Sequence, residues 1–216
     1  MKLSKRLLSI ASLVKPNDVI ADIGCDHALL DIYLVKNKII PKSLAIDVNS
    51  SALNNGIKNI KKYHLEGQIS TKLSDGINDI TEDINTLIIS GMGANTIKKI
   101  LNNSKIKQID KLIIQSNTDY YQIRSFITSK GYIITHESVI YDKNKYYLNI
   151  VFEKGNQKYS IKELTYGPIL MNGNSTYYEY LYNKNIHILE NIPIHHVGKR
   201  FELIKSNFLL KKLKRK

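Results

Sequence analysis

Tryptophan is absent from this 216-residue chain, and cysteine occurs once, at Cys25. A single cysteine excludes an internal disulfide and leaves no thiolate-rich zinc site. That usage fits a reducing compartment, so a cytoplasmic protein is the expectation. No stretch approaches the roughly 20 consecutive apolar residues of a membrane helix, and Met1 to Pro16 is amphipathic without the apolar core of a signal peptide, so the chain is expected to be soluble and unexported. Acids are also scarce: 19 Asp and Glu face 32 Lys and Arg, a formal charge of +13. Lysines that neutralise phosphates release counterions, which points to a polyanionic partner; a codon bias toward Lys, Asn, Ile and Tyr is the competing source of the same excess. The charge is concentrated at the end, where Lys199, Arg200, Lys205, Lys211, Lys212, Lys214, Arg215 and Lys216 stand against Glu202. This run is either a nucleic-acid contact or a solvated terminal segment.

What is present is one core's worth of apolar residues, 43% of the chain, arranged in alternating periods. Short β-branched runs at 19–23, 43–47, 69–73, 86–90 and 111–115 read as buried strands, with amphipathic helices expected over about 28–37, 50–63, 94–102 and 119–129. This is the pattern of βαβ units around a parallel sheet. The runs at 132–141 and 145–152 flank Asp142-Lys-Asn144 and predict an antiparallel hairpin. Polar residues 155–160 place a domain boundary after 155, giving a domain over 1–155 and a smaller one over 156–216. In the second, Asn174 is positioned to cap a helix reaching about Asn191, and Pro193 breaks the chain. Val197, Phe201, Ile204 and Phe208 then form one apolar stripe on a further helix, so the two helices make a hairpin.

Glycine is sparing where it matters. The first strand ends in Ala21-Asp-Ile-Gly-Cys-Asp-His27, with one glycine rather than the three of a dinucleotide fingerprint. Such a turn lets backbone approach a ligand that has no pyrophosphate, or is simply a tight βα turn. Asp47 ends the second strand at the offset where an acid meets ribose hydroxyls, or else caps the helix that follows Asn49 and Ser50. Asp75-Gly76 after the third strand suits an adenine amine through Asp75, or a plain turn. Gly91 and Gly93, after the fourth strand, would let a flat base lie on backbone. Asn117, after the fifth, offers a donor and an acceptor to a base edge. All of these loops fall at the carboxyl ends of strands, where open α/β sheets bind ligands. Adjacent His195 and His196 have no clustered acids beside them, so no metal is assigned and they read as loop or helix-entry residues.

Taken in order, Leu3-Ser-Lys-Arg-Leu7, Ala21-Asp-Ile-Gly-Cys-Asp-His-Ala28, Asp75-Gly76, Gly91-Met-Gly93, Gln115-Ser-Asn117 and Tyr166-Gly-Pro168 resemble the bacterial tRNA adenine-N1 methyltransferases acting on position 22 of the D-arm. The resemblance runs over essentially the whole chain. It implies a class I methyltransferase fold, a Rossmann-like doubly wound α/β sheet with an antiparallel C-terminal hairpin, followed by a small α-helical domain that helps grip tRNA. It implies S-adenosylmethionine as cofactor, held by Asp22, Gly24, Cys25, Asp47, Val48, Asp75, Gly76 and Gly91. Asp26, His27 and Asn117 would face the reacting adenine; Asp26 holding the methionine moiety, and His27 bonded to backbone, are the alternatives. Met92 and Gly93, with Lys199, Arg200 and Lys205, would contact tRNA, as would Arg6, unless Arg6 is an ordinary surface arginine. No protein partner is implied. The chain departs from the family pattern at Cys25, where serine is usual, at Ser116, where proline is usual, and at Ala94, where glycine is usual. Competing functions are a methyltransferase on another RNA position or a small molecule, and a non-catalytic RNA-binding protein on the same fold.

Overall fold

The computed structural model describes residues 1, 3–81 and 83–215. Lys216, the last of the terminal cations, lies outside them. The chain forms two compact units, Met1–Thr165 and Tyr166–Lys216.

The first unit is built on one seven-stranded sheet. In chain order its strands are β1 (Ile20–Ile23), β2 (Ser43–Asp47), β3 (Ile69–Leu73), β4 (Thr86–Met92), β5 (Lys111–Ser116), β6 (Tyr132–Asp142) and β7 (Lys145–Lys154). Their order across the sheet is β3-β2-β1-β4-β5-β7-β6, parallel up to β5 and antiparallel beyond it. The reversal of direction around β1 opens a crevice at the carboxyl ends of β1 and β4. β1 is buried throughout and β5 likewise, which is why both read as continuous apolar runs. Helices α1 (Lys5–Ala11), α2 (Leu29–Lys36), α3 (Ser50–Lys62), α4 (Ala94–Leu101) and α5 (Tyr120–Thr128) connect and cover the strands. α1 buries Ile10 and Ala11 against the sheet, with Leu3 and Val14 also buried. The predicted elements agree with these to within a residue or two at each end.

The boundary between units falls later than the expected 155. Residues after β7 stay with the first unit: the Tyr159 hydroxyl accepts from Ile134 N at 2.8 Å, and Arg124 Nη1 donates to the carbonyls of Leu164 and Thr165 at 3.0 and 3.3 Å. Those carbonyls belong to the short helix α6 (Ile161–Tyr166). Arg124 and its ion-pair partner Glu137, 2.7 Å away, are both buried. A polar stretch reads as a linker from composition, whereas a buried guanidinium needing acceptors holds it down.

In the second unit, α7 (Ser175–Asn191) and α8 (Val197–Leu213) form the expected hairpin, closed at Pro193. Asn174 occupies the N-cap of α7, yet its side chain makes no capping bond. The apolar stripe expected to pack α8 does the opposite. Val197, Phe201, Ile204 and Phe208 are 57–69% exposed, while Leu203, Leu210 and Leu213 are buried with Asn207. Both sets recur at helical spacing, so periodicity alone does not choose between them.

Candidate active site

A cavity of about 420 Å³ opens at the carboxyl edge of the sheet. Of the expected site residues, Arg6, Asp22, Gly24, Cys25, Asp26, His27, Asp47, Gly91 and Met92 line it together. Leu7 of the Leu3–Leu7 motif also lines it, as do Leu29, Leu30 and Ser90, which carried no signal beyond ordinary helix or strand periodicity.

The loop from β1 to α2 is tightly determined. Gly24 has φ +77°, a left-handed conformation that strains any other residue, and a Cβ there would fall 2.2 Å from the mobile end of Met92, which would have to move aside. Gly24 N and Cys25 N both donate to Ile46 O, at 2.8 and 3.0 Å. Asp26 and Ala28 adopt left-handed backbone, φ 49° and 52°, at a cost on the order of 1–3 kcal/mol each. Three contacts hold them there. Asp47 Oδ2 accepts from Asp26 N at 3.0 Å, Asn59 Nδ2 donates to His27 O at 3.0 Å, and Gly56 of α3 approaches so closely that a Cβ would lie 3.2 Å from Asp26 O. The strained loop thereby pushes two side chains outward: His27 Nε2 lies 3.7 Å from Asp26 Oδ2, with both groups about half exposed or more.

Asp47 does not cap α3. Asn49 does, accepting from Ser51 N and Ala52 N at 2.9 and 3.1 Å. Asp47 Oδ1 accepts from Asn49 N at 2.8 Å, which fixes the carboxylate while each oxygen keeps acceptor capacity toward the cavity. Asp22, nearly buried, is pushed well above the usual carboxylate range, first by burial and then by neighbouring Asp31; Arg6 opposes the shift. Burial, with Asp31, Asp22 and Asp47 nearby, also drives the Cys25 thiol far up, so it stays neutral and is no nucleophile.

Arg6 is not an ordinary surface arginine. Its Nη1 donates to buried Gln115 Oε1 at 2.7 Å, its guanidinium lies 5.7 Å from the Tyr147 ring centre, and Asp142 accepts from its backbone N at 3.2 Å. Gln115 also donates to Ser116 O and, at 3.4 Å, to Asn117 Oδ1. Asn117 is used at both ends of its amide, because Nδ2 donates to Gly91 O at 2.6 Å. With Asn117 N bonded to Met92 O at 2.8 Å, this side chain clamps two loops together and does not line the cavity. Ser116 supplies by hydroxyl what a proline ring would supply by rigidity: it donates to Thr118 O at 2.6 Å and accepts from Thr118 N at 3.2 Å. Ala94 begins α4, with Gly93 at its N-cap, so a second glycine is not needed there.

Val48, Asp75 and Gly76 stand at the same sheet edge outside the cavity. Val48 is 69% exposed, Asp75 pairs with Lys99 at 3.0 Å, and Gly76 takes φ +80°. In the second unit, Lys199 pairs with Glu202 at 2.9 Å, whereas Arg200 closes the end of α7 by donating to Leu189 O and Ile192 O at 2.9 and 3.0 Å. Lys205 is exposed. His195 and His196 precede α8 with ring centres 4.5 Å apart. Among the described residues no group of three His, Cys, Asp or Glu side chains is placed to hold a metal.

The cavity thus offers a buried acid for an ammonium, a fixed acid for a diol and a glycine floor for a flat ring. Residues 3–151 match the model of a methyltransferase domain family. The chain is 31% identical to the tRNA (adenine(22)-N(1))-methyltransferase of Bacillus subtilis, over 73% of this chain and 67% of that one. The structure of M. capricolum TrmK in complex with S-adenosyl-homocysteine superposes with a TM-score of 0.87 at 34% identity, covering 100% of this chain and 99% of the other. With the fold, the cavity and the full-length likeness in agreement, the chain belongs to the S-adenosylmethionine-dependent tRNA (adenine-22-N1)-methyltransferase family.

Proposed function

We propose that this protein methylates N1 of adenine 22 in the D-arm of tRNA. The observation that carries this reading is the cavity in which Asp22, Gly24 and Asp47 converge while Asp26 and His27 stand at its open side. When bound, S-adenosylmethionine supplies a methyl group already activated by its sulfonium. Asp22 would accept from the methionyl ammonium and Asp47 from the ribose hydroxyls, and Val48 and Gly91 would offer apolar and backbone cover to the cofactor's adenine. Positioning therefore supplies most of the rate.

N1 lies on the Watson–Crick edge, so the target base has to leave its stack before it meets this pocket. Asp26 and His27 face the incoming base: the carboxylate stabilises the positive charge that forms on the methylated ring, and either group takes the N6 proton. Asn117 acts one step back, holding the Gly91 carbonyl and with it the wall against which the base rests. The helical unit supplies phosphate contacts through Lys205 and the cations after it, which adds affinity without sequence choice. No helix among the described residues is long and apolar enough to cross a membrane; a cytoplasmic site of action belongs to this reading because its substrate is tRNA. The test uses unmodified tRNA transcripts with adenine or guanine at position 22, incubated with labelled S-adenosylmethionine. N1-methyladenosine is expected from the adenine transcript alone; label in neither, with cofactor still bound, sinks the substrate assignment.

A further inference from the structure

Beneath the cavity lies a carboxyl group that the chemistry above does not use. Asp31, in the first turn of α2, is 0% exposed; the Ser43 hydroxyl and its own backbone N–H are the donors beside it, and no cation among the described residues pairs with it. An ionised carboxylate buried without a cation is costly, so the group must find a proton or a stronger partner. Its carboxyl is within hydrogen-bond reach of Asp22, which is itself 5% exposed and lines the cavity. Two carboxylates have nothing to donate to each other, whereas a single proton between them makes one charge-assisted bond.

The surroundings favour that proton. Arg6 from α1 is the cation acting on Asp22; against it stand Asp47 at the end of β2 and the neutral Cys25 thiol, with Asp26 and His27 on the loop above and the Ser43 hydroxyl beside Asp31. Burial raises Asp31 to about 6, with Ser43 and Asp22 pulling the other way.

We infer that Asp31 is a positioning residue for the amino-acid end of the cofactor: it shares one proton with Asp22, and when the methionyl ammonium meets Asp22 that proton is held on Asp31, so that Asp22 faces the ligand as a fixed carboxylate. The pair then carries one negative charge against one positive charge. A second proton on the pair neutralises Asp22, and affinity falls on the acid side. This rests on the cofactor reading of the same cavity and assigns it a new member.

The test measures S-adenosylhomocysteine affinity by calorimetry from pH 5 to 8, in wild type, Asp31→Asn and Asp31→Leu, with 5′-methylthioadenosine as the ligand lacking the amino-acid end. Wild-type affinity is expected to drop as pH falls through about 6. Asn keeps a donor toward Asp22 and removes a titrating neighbour. It should therefore hold the pH 8 affinity within about threefold and move the drop to lower pH. Leu removes the donor and should weaken S-adenosylhomocysteine by about tenfold, ~1.4 kcal/mol, with methylthioadenosine unaffected. Equal affinities and a wild-type pH profile in both variants would overturn the inference, as would a parallel loss of methylthioadenosine binding. Wild-type protein that binds neither ligand would instead overturn the cofactor reading itself.

Discussion

Asp26 and His27 share a loop in which left-handed backbone is enforced from three sides, and that geometry has a kinetic consequence. Side chains carried on strained, braced backbone lose little entropy when a base arrives. Replacing either by Ala should lower single-turnover methyl transfer by about 10²–10⁴-fold, the range for a lost acid or base, with S-adenosylhomocysteine affinity changed only a few-fold. Near-normal turnover in both variants would remove them from the chemistry. Much of this site was legible at the residue scale: one glycine after a strand and acids at strand ends announce a ligand edge. Asn117 was legible as a loop residue, but not as a clamp, because its partner Gly91, 26 residues away, meets it only through the sheet. Asp31 was not legible at all; within an apolar helix turn nothing marks a polar residue as facing another acid.

At the scale of elements, two packing arrangements make opposite demands on similar-looking sequence. The Arg124–Glu137 pair joins α5 to β6 and, through the carbonyls of Leu164 and Thr165, ties α6 to the first unit. Removing one partner leaves a buried charge uncompensated, so Glu137→Ala should destabilise the protein by about 3–5 kcal/mol in chemical denaturation. A loss below about 1 kcal/mol would mean that water reaches Arg124, contrary to its burial. On α8, Leu210 is 1% exposed and Phe208 is 65% exposed. Leu210→Ala should therefore cost about 2–5 kcal/mol, and Phe208→Ser should stay within about 0.5 kcal/mol. The reverse order would show that the aromatic stripe is the packing face after all.

Across the whole molecule, cofactor and nucleic-acid affinities should separate by unit. All residues lining the cavity lie in Met1–Thr165, whereas the terminal cations lie in Tyr166–Lys216. A chain ending at Thr165 should keep S-adenosylhomocysteine affinity and lose most of its tRNA affinity. In the full-length chain, changing Lys205, Lys211 and Lys212 to Gln should flatten the dependence of tRNA affinity on salt by about 0.7–0.9 in slope for each phosphate that is no longer neutralised. An unchanged slope would make this run a solvated end.

By itself the sequence determined the alternation of strands and helices, the parallel sheet with its antiparallel end, and the sheet edge at which the cavity opens. Those follow from local rules: side-chain period, turn chemistry, and the preference of glycine and acids for strand ends. Only the tertiary structure decided which of two helical stripes on α8 is buried, where the first unit stops, and which polar residues serve the ligand rather than one another. Each depends on a partner distant in the chain. A carboxyl's role is set by the groups that face it across the sheet, and no spacing along a single element records what those are.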